Sequence, residues 1–183
     1  MSQIVTWLKH PVLLNALLMK LAWISCVAGG ITYGIPALIL MTIHSWLTGR
    51  LVLDLPVVFT LAAIGLALDT LWMYLGVLDY GSEAVALGPG IALAPMWIVL
   101  LWIAVGFSLQ HSLAFLARRP LVGALLVALL SPVSYLSGQS FGSVVIPSNE
   151  GLLILALVWF VLFFIVFRFT RRRLEGQDHT APG

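Results

Sequence analysis

Charge is what this sequence has least of. Only 9% of its 183 residues are Asp, Glu, Lys or Arg, against roughly 25% in an average soluble domain. Cysteine is nearly absent: Cys26 stands alone, so no intrachain disulfide framework can form. The nine Lys and Arg residues are spread too thinly to build a basic face, which argues against a nucleic-acid partner. Disorder through low hydrophobicity is excluded, because 61% of the residues are hydrophobic. The chain also lacks a G-x-S-x-G elbow, a phosphate-cradling glycine loop with lysine, and the HExxH and His-x3-His metal spacings. What remains is an integral membrane protein for which no cofactor and no metal is expected.

The long apolar stretches are abundant and can be counted. A helix needs about 20 mostly apolar residues to cross the hydrocarbon core. Charges, glycines and prolines divide the chain into spans at about 11–29, 31–47, 56–78, 94–116, 120–138 and 151–168. Gly29-Gly30 permits a tight reversal, and Pro56, Pro95 and Pro120 fit helix starts. Pro36 and Pro132 lie inside spans, where they are expected to kink the helix. The expected fold is all-α: one polytopic domain over residues 1–170, a six-transmembrane-helix bundle. Residues 171–183 form a basic, then disordered, cytoplasmic tail. Lys20 interrupts the apolar centre that a cleaved signal peptide would need, so the first helix is expected to be retained.

Orientation follows from the basic residues. With both termini in the cytoplasm, Lys9, Arg50, Arg118, Arg119 and the cluster Arg168, Arg171, Arg172 and Arg173 all fall on that side. Asp79, Glu83 and Glu150 fall on the other, with no Lys or Arg. This satisfies the positive-inside rule, and Trp7, Trp46, Trp97 and Tyr80 near span ends fit an aromatic belt. Such a pattern places both chain ends on the cytoplasmic face of a membrane.

Polar groups at membrane depth are where function is sought first, because each is costly there. At 1.5 Å per residue, Lys20 lies roughly 14 Å and Asp69 roughly 20 Å from the cytoplasmic ends of their helices, so the two can pair if helices one and three touch. Asn15, Lys20, Asp69, Ser134 and Tyr135 form the candidate intramembrane polar cluster. His44 and His111 sit at similar depth near the cytoplasmic side and form a candidate polar pair, with no Asp or Glu beside them in sequence. The segment 131–143 is rich in serine and also holds Pro132, Gly138, Gln139 and Gly142. Its proline and glycines are expected to disturb the helix, first of all as a kinked helix end with local capping. The alternative is a site for a polar headgroup or solute that faces the bundle interior on the non-cytoplasmic side and lines a small cavity with Asp69.

Three sets of residues carry a resemblance. They are Asn15-x3-Met19-Lys20-x2-Trp23; then Pro95-x-Trp97-x4-Trp102-x4-Phe107-x-Leu109-x2-Ser112-Leu113; and Pro132-x-Ser134-Tyr135-x2-Gly138-x3-Gly142. In order and spacing they resemble a bacterial family of small inner-membrane proteins classed as a domain of unknown function, over nearly the whole chain to about Phe167. Ser131 stands where many relatives have Gly, and Lys20 where a neutral polar residue is commoner. The resemblance implies an association with fatty-acyl modification enzymes of the cyclopropane-synthase type and no established activity. The expected role is therefore a non-enzymatic accessory in lipid handling or envelope maintenance. Its partners would be membrane lipids, another membrane protein or a second copy of itself. Two alternatives stay open: a small solute or proton-coupled carrier using Lys20 and Asp69, and a membrane-embedded enzyme acting on acyl chains.

Overall fold

The computed structural model describes residues 11–180, with side chains through residue 176. Trp7 and Lys9, assigned above to the aromatic belt and the cytoplasmic side, and the tail residues 181–183 lie outside the described residues. The chain is mostly helical. We number its helices α1 (Pro11–Leu47), α2 (Leu51–Tyr74), α3 (Met96–Leu109), α4 (Ala114–Ala117), α5 (Pro120–Ser140) and α6 (Asn149–Thr180). Among the described residues four helices are long and apolar enough to cross a membrane: α1, α2, α5 and α6 over Asn149–Gly176, with mean hydropathies of 1.8, 2.3, 1.8 and 2.8. Helix α3 is apolar but shorter.

Helix α1 is not one straight rod. Gly30 adopts φ 57° and ψ −144°, a conformation open almost only to glycine. The segments before and after it fold back on each other. The His44 Nε2 lies 3.1 Å from the Pro11 carbonyl, whereas 33 residues of straight helix would separate the two by about 50 Å. A Cβ on Gly34 would come within 2.8 Å of the Cys26 Sγ, so the two arms are in close contact near the turn. Pro36 lies inside the second arm without ending it.

Several boundaries differ from the sequence expectation for local reasons. Helix α2 starts at Leu51, before Pro56, because the Leu53 and Asp54 amides already bond to the Arg50 carbonyl. Asp54 thus enters the first helical turn, where a carboxylate meets the positive end of the helix dipole. The expected span 94–116 is broken after Leu109: residues 110–113 form a turn before α4. The segment around Pro132 and Gly138 is not unwound, since α5 is continuous to Ser140. Ser131, Ser137 and Ser140 return their hydroxyls to carbonyls one turn back, so the segment satisfies these polar groups locally. Helix α6 continues through the basic residues to Thr180, so the segment assigned to the tail is helical from 171 to 180.

The fold is also not purely α. Gly88-Pro89-Gly90 forms the tip of an antiparallel hairpin, β1 (Val85–Gly88) and β2 (Ile91–Leu93). Asp79 pairs with Val145 through two backbone bonds of 2.9 and 2.7 Å, tying the α2–α3 connection to the α5–α6 connection. This cap buries Val77, Leu78, Tyr80, Ala94 and Val144 at the end of the bundle that carries Asp79 and Glu83. The opposite end carries Arg50, Arg118 and Arg119.

The helices associate in two groups. The first is α1, α2 and α3, where Gly106 sits so close to α2 that a Cβ on it would lie 2.7 Å from the Val58 Cα. The second is α5 packed along α6, with α4 against both. Polarity is distributed inside out. Asn15, Ser45, Asp54, Asp69, Ser108 and His111 are buried, while Leu47, Val52, Phe59, Leu129, Leu130, Leu153, Leu157 and Ile165 are exposed. An apolar exterior of this extent requires an apolar surrounding.

Candidate functional site

Two buried polar centres form, one at each end. At the arginine end, the Asp54 carboxylate is the hub. Its Oδ2 accepts a 2.7 Å bond from the Ser45 hydroxyl and a 2.8 Å bond from the His111 Nε2. Its Oδ1 accepts a 3.1 Å bond from the Gln110 Nε2. The His44 and His111 rings meet edge to face with centroids 5.2 Å apart. His44 Nε2 faces a carbonyl, which can only accept, so Nε2 carries the proton. Its Nδ1 is then an acceptor, and it has no hydrogen-bond partner among the described residues.

Asn15 belongs to this end as well. Its amide donates to the Phe107 carbonyl at 3.2 Å, and its Oδ1 accepts from the Ser112 amide at 3.2 Å and the Ser112 hydroxyl at 2.6 Å. The turn at 110–113 is what makes this possible, because it frees the Ser112 amide from the helical ladder. Asn15 therefore joins α1 to the end of α3 and does not share a cluster with Asp69. The expected histidine pair does form, but with an acid beside it that sequence reasoning missed. The usable signal for Asp54 is its place close after Arg50, at the depth of His44. No group of three or more His, Cys, Asp or Glu among the described residues is placed to hold a metal. The cluster ties the start of α2 to the ends of α1 and α3.

The second centre surrounds Asp69, in α2. The residue is only 1% exposed. Oδ1 accepts a 2.8 Å bond from the Tyr80 hydroxyl, and Oδ2 a 2.9 Å bond from the Trp102 indole N–H. Tyr135 lies against the same carboxylate. Tyr80 comes from the capping loop, where burial first and the Asp69 charge second push its hydroxyl well above the usual tyrosine range. It therefore remains protonated and donates. Around these groups Trp102 packs on Trp159 and Phe163, Tyr135 stacks on Trp159, and Tyr80 meets Trp97 edge to face.

These residues line a cavity of about 550 Å³ between the two helical groups, a size typical of small-molecule sites. Met19, Trp23 and Val27 contribute from α1, Leu101 and Val105 from α3, Ser131, Ser134 and Gly138 from α5, and Trp159 and Phe163 from α6. Leu126, Leu130 and Phe115 also line it and are themselves exposed, so the cavity opens sideways along the apolar flank. Asp69 is the only charged side chain in the lining among the described residues.

Lys20 and Asp69, which could have paired had their helices brought them together, find separate partners. Lys20 is exposed, and its ammonium lies 4.7 Å from the Trp23 ring centre, a cation–π contact at the rim. Of the predicted cluster, Asp69, Ser134 and Tyr135 come together at the cavity, with Ser134 accepting a 3.1 Å bond from the Trp23 indole. Lys20 reaches it only through Trp23, and Asn15 lies at the other end. Trp102 and Tyr80, the two donors that hold the carboxylate, were not read as its partners. They lie 33 and 11 positions away, and no spacing rule links residues that meet across separate elements.

Residues 12–165 match the family described as "Protein of unknown function (DUF2878)". No curated protein and no solved structure matches the chain.

Proposed function

We propose a lipid-handling role for this chain, which belongs to the DUF2878 family: a polytopic protein of the bacterial cytoplasmic membrane that takes an acyl chain into its lateral cavity without chemistry of its own. The observation that carries this reading is the 550 Å³ cavity, apolar over most of its lining and open beside Phe115, Leu126 and Leu130. Where a bilayer surrounds the protein, those side chains face lipid tails, so a chain can enter without crossing water. The two arms of α1 count as separate crossings. Together with α2, α3, α5 and α6 they support six passes, with both ends on the side of Arg50, Arg118 and Arg119. Reporter fusions after Gly81 and after Arg119 should then report opposite compartments.

The binding reading is tested by native mass spectrometry of protein purified in mild detergent. The wild type should retain about one lipid per chain. Ser131→Trp, which places an indole in the cavity from the middle of α5, should lose it while keeping its elution volume. A wild type carrying no lipid above its annular background would overturn the reading. The carrier alternative built on Lys20 and Asp69 has less support, because those groups have separate partners.

A further inference from the structure

We propose that the cavity is selective for an amphiphile whose head is an alkylated ammonium, with Asp69 as its counter-charge and the surrounding indole and phenol rings as its cage. This rests on the lipid-handling reading above and names the ligand class for the same site.

Three observations carry it. First, the Asp69 carboxylate lines the cavity, and no Lys, Arg or His lines it with Asp69 among the described residues. A carboxylate withdrawn from water without a countercharge is costly, so the site is complementary to a cation. Second, each carboxylate oxygen already accepts a hydrogen bond, one from Tyr80 and one from Trp102. What the site lacks is positive charge rather than further donors. A bare ammonium, which needs its own N–H groups satisfied, gains less here than a methylated one. Third, the lining beside Asp69 is aromatic: Trp97, Trp102, Trp159, Tyr80 and Tyr135. Ring faces attract cations through their quadrupole, most strongly where water is excluded, and aromatic cages are the usual receptors for quaternary ammonium. An anionic head would be repelled by Asp69, and a neutral head would leave its charge uncompensated. The apolar remainder of the cavity, toward Leu126 and Leu130, suits the alkyl tail.

The test is calorimetric titration of the intact protein in dodecyl maltoside with three ligands of equal chain length: octyltrimethylammonium, octanol and octanoate. The ammonium ligand should bind at least tenfold more tightly than the other two. Asp69→Asn, which keeps an acceptor for the ring donors but removes the charge, should abolish that preference while octanol binding persists. Trp102→Phe should weaken the ammonium ligand selectively. Equal affinity for the three heads, or a preference that survives Asp69→Asn, overturns the head-group assignment and leaves the cavity reading standing. Saturable binding of none of the three overturns both. Should Asp69→Asn fail to fold, the head-group comparison on the wild type decides the question.

Discussion

Gly65 offers a direct test of how the Asp69 site is held. It lies one turn before Asp69 on α2, and the Trp102 ring packs flat against its backbone. A Cβ at Gly65 would fall 2.1 Å from both the Cγ and Cδ1 of Trp102. Carbon atoms settle at about 3.5–4.0 Å, so Gly65→Ala forces the indole back by roughly 1.5 Å. That displacement breaks the 2.9 Å bond from Trp102 to Asp69. Overpacking costs about 1–3 kcal/mol, and a polar contact between membrane helices averages about 0.6 kcal/mol with a maximum near 1.7. Alanine in a helix interior recovers up to about 1 kcal/mol relative to glycine. The clash outweighs the propensity gain, and the net loss should be about 1–3 kcal/mol. The assay is equilibrium unfolding in detergent, followed by tryptophan fluorescence for both Gly65→Ala and Gly65→Ala in a Trp102→Ala background. With the indole gone the clash disappears, and only the helix-propensity gain remains, so the sign of the effect should reverse. Equal destabilisation in the two backgrounds, or a neutral Gly65→Ala in the wild type, would refute the packing argument.

Three further substitutions probe the other end and the turn. Asn15→Ala orphans the buried Phe107 carbonyl and both Ser112 donors, so it should cost about 1–3 kcal/mol. Ser112→Ala should cost less, because the backbone amide keeps its bond to Asn15; thermal unfolding in detergent ranks the two. Gly30→Ala meets no steric neighbour but is forced into a backbone region that L residues avoid, and should lose about 1–3 kcal/mol. A Gly30→Ala protein as heat-stable as the wild type would mean that the reversal in α1 tolerates another geometry.

The membrane character and most of the helical segments were legible in the sequence. Hydropathy is a property of consecutive residues, and a run of apolar side chains has few options in a bilayer other than a helix. The reversal at Gly29-Gly30 was also readable, because it depends on glycine's backbone freedom. The early start of α2 and the break after Leu109 were less so, because both are decided by capping bonds and by Asn15, which reaches Ser112 from 97 positions away.

What the tertiary structure alone decided is which polar group meets which. Depth along a helix can be counted from its end, but rotation about its axis cannot when apolar residues cover every face and no amphipathic phase exists. Lys20 and Asp69 are at compatible depths and still find separate partners, because their side chains point to different sides of the bundle. Asp69 turns toward Tyr80 and Trp102, Lys20 outward over Trp23, and Asp54 toward Ser45, Gln110 and His111. Pairing inside a membrane protein is set by helix rotation and neighbour order. These are three-dimensional quantities, and a linear pattern of hydrophobicity does not encode them.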